Sequence, residues 1–157
     1  MHSYLVAVVD GAHARFLTFS TAEFPDTELT SSHLTEHSSL NSAEKPLAVK
    51  READNPIGRK HHGQRHDRPK QSAEMDRRFA SLVVEQLNSV AQEARSQQVV
   101  LAAEPHVLGH LRELIPSHFS AAVEIRELAK DLCRLRPHDL HQYLAGKKLL
   151  PPPRRLR

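Results

Sequence analysis

The sequence predicts an α/β domain: a mixed five-stranded sheet covered by helices, with a long basic loop ahead of the main helix. Three observations carry this reading. Apolar stretches with strand character open the chain and recur later; one stripe of apolar residues at spacings of three and four marks a long helix; and periodicity stops between them, from about Ser42 to Gln71.

Taken in order, residues 4–9 (Tyr4, Leu5, Val6, Ala7, Val8, Val9) are almost all apolar, the pattern of a strand buried on both faces. Asp10-Gly11 signals a tight turn, Gly11 tolerating positive φ, and Ala14 to Ser20 follows as a hairpin partner. Thr27 to His37 alternates with one slip in its period and predicts a half-exposed third strand. After the loop, Met75, Phe79, Leu82, Val83, Leu87, Val90 and Ala94 form a core-facing stripe, so a helix is expected from Ser72 or Ala73 to about Ser96, with Ser72 as N-cap. Val99 to Ala103 reads as a buried strand. Pro105 opens a short helix with Val107, Leu108, Leu111 and Ile115 inward, and Pro116 ends it. Ala121 to Leu128 alternates as a strand with one wet face. Pro137 to Ala145 predicts a last helix on Leu140 and Leu144, capped by Gly146. The domain therefore spans residues 1–146, with 45–71 as a flexible basic loop, and 147–157 is a basic, Pro-rich tail expected to be extended or disordered.

The chain has 157 residues, room for one domain with margins. Apolar residues are 39%, below the usual ~45–50%, so part of the chain lies outside any core. The net charge of +3 hides segregation. Residues 1–44 carry one Arg and six acids, and residues 71–146 eight basic residues and ten acids. Residues 45–70, by contrast, carry eight Lys and Arg against three acids, and the tail carries five basic residues and no acid. A mildly acidic body thus wears two basic appendages, which keeps a phosphate-bearing partner in play. The single Cys133 excludes an intrachain disulfide and fits a reducing compartment. The apolar runs fall far short of the ~20 residues that span a bilayer, and the N-terminus lacks a secretory n-region, so no membrane insertion and a cytoplasmic location are expected.

Few residues point to catalysis. His61, His62 and His66 with Asp67 invite a metal reading, but adjacent His61-His62 lacks ligand-pair spacing, and solvated loop histidines account for them; no metal or cofactor is expected. Cys133 beside leucines reads as a small buried hydrophobe rather than a nucleophile. Asp10 and Arg15 suit turn chemistry and an ion pair as well as they suit phosphate contact. Five glycines leave little room for a phosphate-cradling loop. The basic loop is the better signal: Lys50, Arg51, Arg59, Lys60, Arg65, Arg68 and Lys70 lie in a span with Gly58 and Gly63 that could mould to a phosphate backbone, although charge runs are often only solvated.

The stretch Tyr4 to Phe16 with Asp10-Gly11 and Ala14-Arg15-Phe16, then Phe79, Val99 to Ala103, Glu104 to Arg112 and Glu127 to Leu132, resembles the bacterial host attachment protein family over most of residues 4–145. The likeness is most specific at Leu108-Gly109-x-Leu111-Arg112 and Lys130-Asp131-Leu132. That family is in turn similar to the middle domain of eukaryotic and archaeal class 1 release factors and of Pelota. The resemblance implies that the loop before the main helix corresponds to the one carrying Gly-Gly-Gln in release factors. Here it reads Gly58-Arg59-Lys60-His61-His62-Gly63-Gln64-Arg65, with His62 in place of the first Gly. A Cβ at that position opposes the close backbone approach the motif serves, so peptidyl-tRNA hydrolysis is not expected. The leading expectation is a noncatalytic, translation-related module binding ribosome or structured RNA through Lys50, Arg51, Arg59, Lys60, His61, His62, Gly63, Gln64, Arg65 and Arg68. The alternatives are a small hydrolase or nuclease built on Asp10, the loop histidines and Gln64, and a protein-interaction module affecting host attachment.

Overall fold

A computed structural model of the chain describes residues 2–21, 33–42 and 69–153, with side chains of the first helix described from Glu74 onward. The element order is β1 (His2–Val9), β2 (His13–Thr21), β3 (Thr35–Asn41), α1 (Pro69–Glu93), β4 (Gln98–Ala103), α2 (Pro105–Leu114), a 3-10 turn (Ile115–Ser117), β5 (Glu124–Leu128) and α3 (Pro137–Gly146). The five strands form one sheet in the order β3-β2-β1-β4-β5. The β1–β2 and β2–β3 pairs are antiparallel; β1–β4 and β4–β5 are parallel. The predicted α/β class with a mixed five-stranded sheet is therefore observed.

Helices cover both faces, which explains why β1 is apolar at consecutive positions. Leu5, Ala7 and Val9 point to one side, where Phe79, Val83, Leu87 and Val90 of α1 and Val107, Leu108 and Leu111 of α2 pack on them. Val6 and Val8 point to the other, against Leu17, Phe19, Leu140 and Leu144. Alternate side chains of a strand face opposite ways, so a centrally placed strand covered twice has no polar position to spare.

Several boundaries differ from expectation for physical reasons. The third strand runs over Thr35–Asn41, and residues 27–32 of the expected Thr27–His37 lie outside the described residues; Leu34, just before it, is fully buried and Leu40 half-buried, and the register against β2 shifts between Phe16 and Leu17. Helix α1 begins at Pro69, since proline is tolerated in a first turn. Its buried stripe uses Ala80, Val84 and Ala91, leaving Met75 53% and Leu82 47% exposed. Phe79, Val83, Leu87 and Val90 of the expected stripe are buried, and its edge shifts toward Ala80, Val84 and Ala91 and away from Met75 and Leu82. β5 starts at Glu124, three residues later than expected. Gly11 does not adopt positive φ; the β1–β2 turn is held instead by the Asp10 carboxylate. At the end of α3 the left-handed residue is Lys148, not Gly146. The first part of the tail also packs back on the sheet: Leu150 is buried with Leu140 and Leu144.

Candidate functional site

Ligands of open α/β sheets sit beyond the carboxyl ends of parallel strands. At that edge here are Asp10 after β1, Glu104 after β4 and the segment Lys130–Arg136 after β5. A cleft of about 410 Å³ opens there, lined by Asp10, His13, Arg15, Asn41, Cys133 and Arg134 among others.

Asp10 and Arg15 both face this cleft, and both are engaged in holding it. Asp10 Oδ1 accepts from the backbone N–H groups of Ala12 (2.7 Å) and His13 (2.6 Å), an Asx turn that closes the hairpin. Arg15 donates from Nη1 to the carbonyls of Cys133 and Leu135, both at 2.7 Å, and its Nε donates to Glu36 Oε1 at 2.8 Å. One guanidinium thus ties β2, β3 and the segment after β5 together, a use of its planar donor fork that a lysine could not copy. Asp131 Oδ1 accepts from the Cys133 N–H at 3.0 Å.

Burial, with the Asp10 and Asp131 carboxylates adding to it, pushes the Cys133 thiol from the usual 9.0 up to about 12. A thiol so raised stays protonated at neutral pH and is a poor nucleophile. Asp10, Asp131 and Cys133 do bring one potential ligand atom each within 4.8 Å of one another. The two carboxylates already accept backbone N–H groups.

A second cluster lies where α1 meets α2. Glu104 caps α2, accepting from the N–H groups of His106 (3.0 Å) and Val107 (3.3 Å). His106 and His110 then fall one turn apart on α2, and His106 Nε2 lies 3.1 Å from Asp76 Oδ2 of α1. This pairing escaped the sequence reading, although the four-residue spacing of two histidines on a predicted helix was its visible signal.

On the other face of the sheet, His141 of α3 is fully buried. Its Nδ1 accepts from the Leu34 N–H at 3.0 Å, which puts the ring proton on Nε2, and that atom donates to the Pro151 carbonyl at 2.8 Å. The Phe19 ring meets it edge-on at 4.4 Å. Burial lowers its pKa below the usual range. This residue, too, went unnoticed in the sequence.

The expected binding residues Lys50, Arg51, Arg59, Lys60, His61, His62, Gly63, Gln64, Arg65 and Arg68 lie outside the described residues. The two ends of their segment are within them. Ser42 donates its N–H to the Ala12 carbonyl at 2.8 Å, beside the Asp10 turn. At the other end α1 starts at Pro69, and its Asp76 touches His106 in the first turn of α2, just past the carboxyl end of β4. Both roots of the basic segment therefore lie at the carboxyl edge.

Among the described residues no helix is long and apolar enough to cross a membrane. Residues 5–144 match the family described as protein required for attachment to host cells. No curated protein matches the chain.

Proposed function

The chain belongs to the family of proteins required for attachment to host cells, and on that premise we propose that it is a noncatalytic binding module that holds ribosomal or other structured RNA through its basic segment. The observation that carries this is charge segregation anchored at one edge. Eight Lys and Arg against three acids lie in residues 45–70, and that segment leaves and re-enters the fold at the carboxyl edge of β1 and β4. Arg59, Lys60, Arg65 and Arg68 supply phosphate contacts and Gly63-Gln64 the tip, as the likeness to release-factor middle domains implies. The engagement of Asp10 and Arg15 in backbone-holding contacts, and the high thiol pKa of Cys133, favour binding over chemistry at this edge.

The test is co-sedimentation with ribosomes of wild type and a variant carrying Arg59→Glu, Lys60→Glu, Arg65→Glu and Arg68→Glu. Four phosphate contacts give a log–log salt slope of about −2.8 for single strands to −3.6 for duplex. Wild type should pellet at low salt and the variant should not; equal pelleting refutes the reading. A second reading, a protein-interaction module serving attachment, is favoured by the family description. It gains if a pulldown survives nuclease treatment yet is lost on deletion of the segment.

A further inference from the structure

We propose that Asp76, His106 and His110 form a binding site for a borderline divalent transition-metal ion, with zinc as its natural probe. Each residue offers one ligand atom, and the three atoms lie within 4.8 Å of one another. Two imidazoles and a carboxylate suit such ions, whose tetrahedral ligands at about 2.0–2.1 Å stand about 3.3 Å apart. The His106 Nε2 to Asp76 Oδ2 separation of 3.1 Å already meets that spacing.

The independent sign of an absent partner is His110 Nε2. Among the described residues it is the buried side-chain polar atom that has no hydrogen-bond partner. Such an atom normally costs free energy, and it belongs to a residue of this three-member cluster, which favours an occupant there. The His106 and His110 rings stand edge to face, 5.1 Å between centroids. His106 is 63% and Asp76 23% exposed at the side chain, which gives a metal an entry path and leaves room for water in remaining positions.

The placement has an electrostatic cost and its offset. A cation beside the first turn of α2 meets the positive end of the helix dipole. The Glu104 carboxylate, accepting two N–H groups of that turn, and Asp76 itself both counter it. A bound ion would staple α1 to α2 within two turns of Pro69, where the basic segment ends. The site does not depend on the RNA reading.

Calorimetric titration of the untagged full chain with zinc chloride tests it, alongside cobalt absorption to report nitrogen and oxygen ligation without sulfur. One zinc per chain is expected. Loss even of groups that merely support a metal ligand costs ~10–100-fold, so His106→Ala and His110→Ala should each weaken binding at least about 100-fold. Asp76→Asn should weaken it too, and Cys133→Ser should leave it unchanged. Circular dichroism checks that each variant folds, and the exposed His106 provides a variant with little bearing on the core. Wild-type zinc affinity in His106→Ala, or a site lost on changing His61 and His62 instead, overturns the proposal.

Discussion

Replacing His141 with Phe tests how the start of β3 and the segment after α3 are tied to that helix. Phenylalanine keeps most of the ring volume and its contact with Phe19, but cannot accept from the Leu34 N–H or donate to Pro151. Leu34 is fully buried, so its N–H loses its partner away from water. An unsatisfied buried donor costs about 1–3 kcal/mol, whereas the half-buried Pro151 carbonyl can turn to solvent. With a urea m value of about 2 kcal/mol/M, the midpoint at pH 8 should fall by about 0.5–1.5 M. The pH dependence gives a second, sharper signature. Burial lowers the folded pKa of His141, so the unfolded chain binds more protons as pH drops through the ordinary histidine value of about 6.5. Its contribution is fully present above that value and is lost as pH falls toward the lowered one, with a slope of at most ~1.4 kcal/mol per pH unit. The gap between wild type and His141→Phe should therefore be widest at pH 8 and shrink toward pH 5.5. Equal midpoints at pH 8, or a gap constant across that range, would refute the account.

Arg15→Ala should destabilise by about 1.5–3 kcal/mol in urea titration and open the segment after β5 to limited proteolysis, because two backbone carbonyls and Glu36 lose a shared charged donor; Arg15→Lys should restore little. Cys133, with its thiol pKa at about 12, should react with iodoacetamide at pH 8 at least about 100-fold more slowly in the native chain than in urea, since only the thiolate attacks. Gly109→Ala should raise stability by about 0.5–1 kcal/mol, because Gly109 sits inside α2 without positive φ and a Cβ there meets nothing within 4 Å; a urea midpoint unchanged or lowered counts against it.

The fold was legible wherever a pattern had one cause. The unbroken apolar run of β1 follows from helices on both faces, and Val107, Leu108 and Leu111 declared the buried side of α2. Legibility failed where two side chains competed for one role. Met75 and Leu82 are large and apolar yet lie half exposed at one flank of α1, while Ala80 and Ala91 at the other are buried. Asp10-Gly11 read as a glycine turn, while the carboxylate does the folding. Polar residues were hardest: Arg15, His141 and the Asp76–His106 pair make contacts between residues 21 to 120 positions apart, and no local period records such partners. The residues singled out by charge, Lys50 to Arg68, lie outside the described residues, and the contacts at Ser42 and the start of α1 locate the ends of their segment.

The residues that carry the family likeness serve mostly to build the domain. Leu108 and Leu111 fill the core under α2, and Arg112 crosses to Glu127 of β5 at 2.6 Å. Lys130 lies over the Tyr143 ring, Asp131 holds the turn at Cys133, and Leu132 enters the second core. Each has a folding role that suffices to explain it. The likeness is therefore strong testimony about architecture and weak testimony about a ligand. Function is better sought in features for which folding supplies no reason: the basic segment between Ser42 and Pro69, and the histidine pair whose buried nitrogen lacks a partner. The described ends of that segment and the histidine pair lie at the carboxyl edge of the sheet, where the fold leaves its parallel strands open.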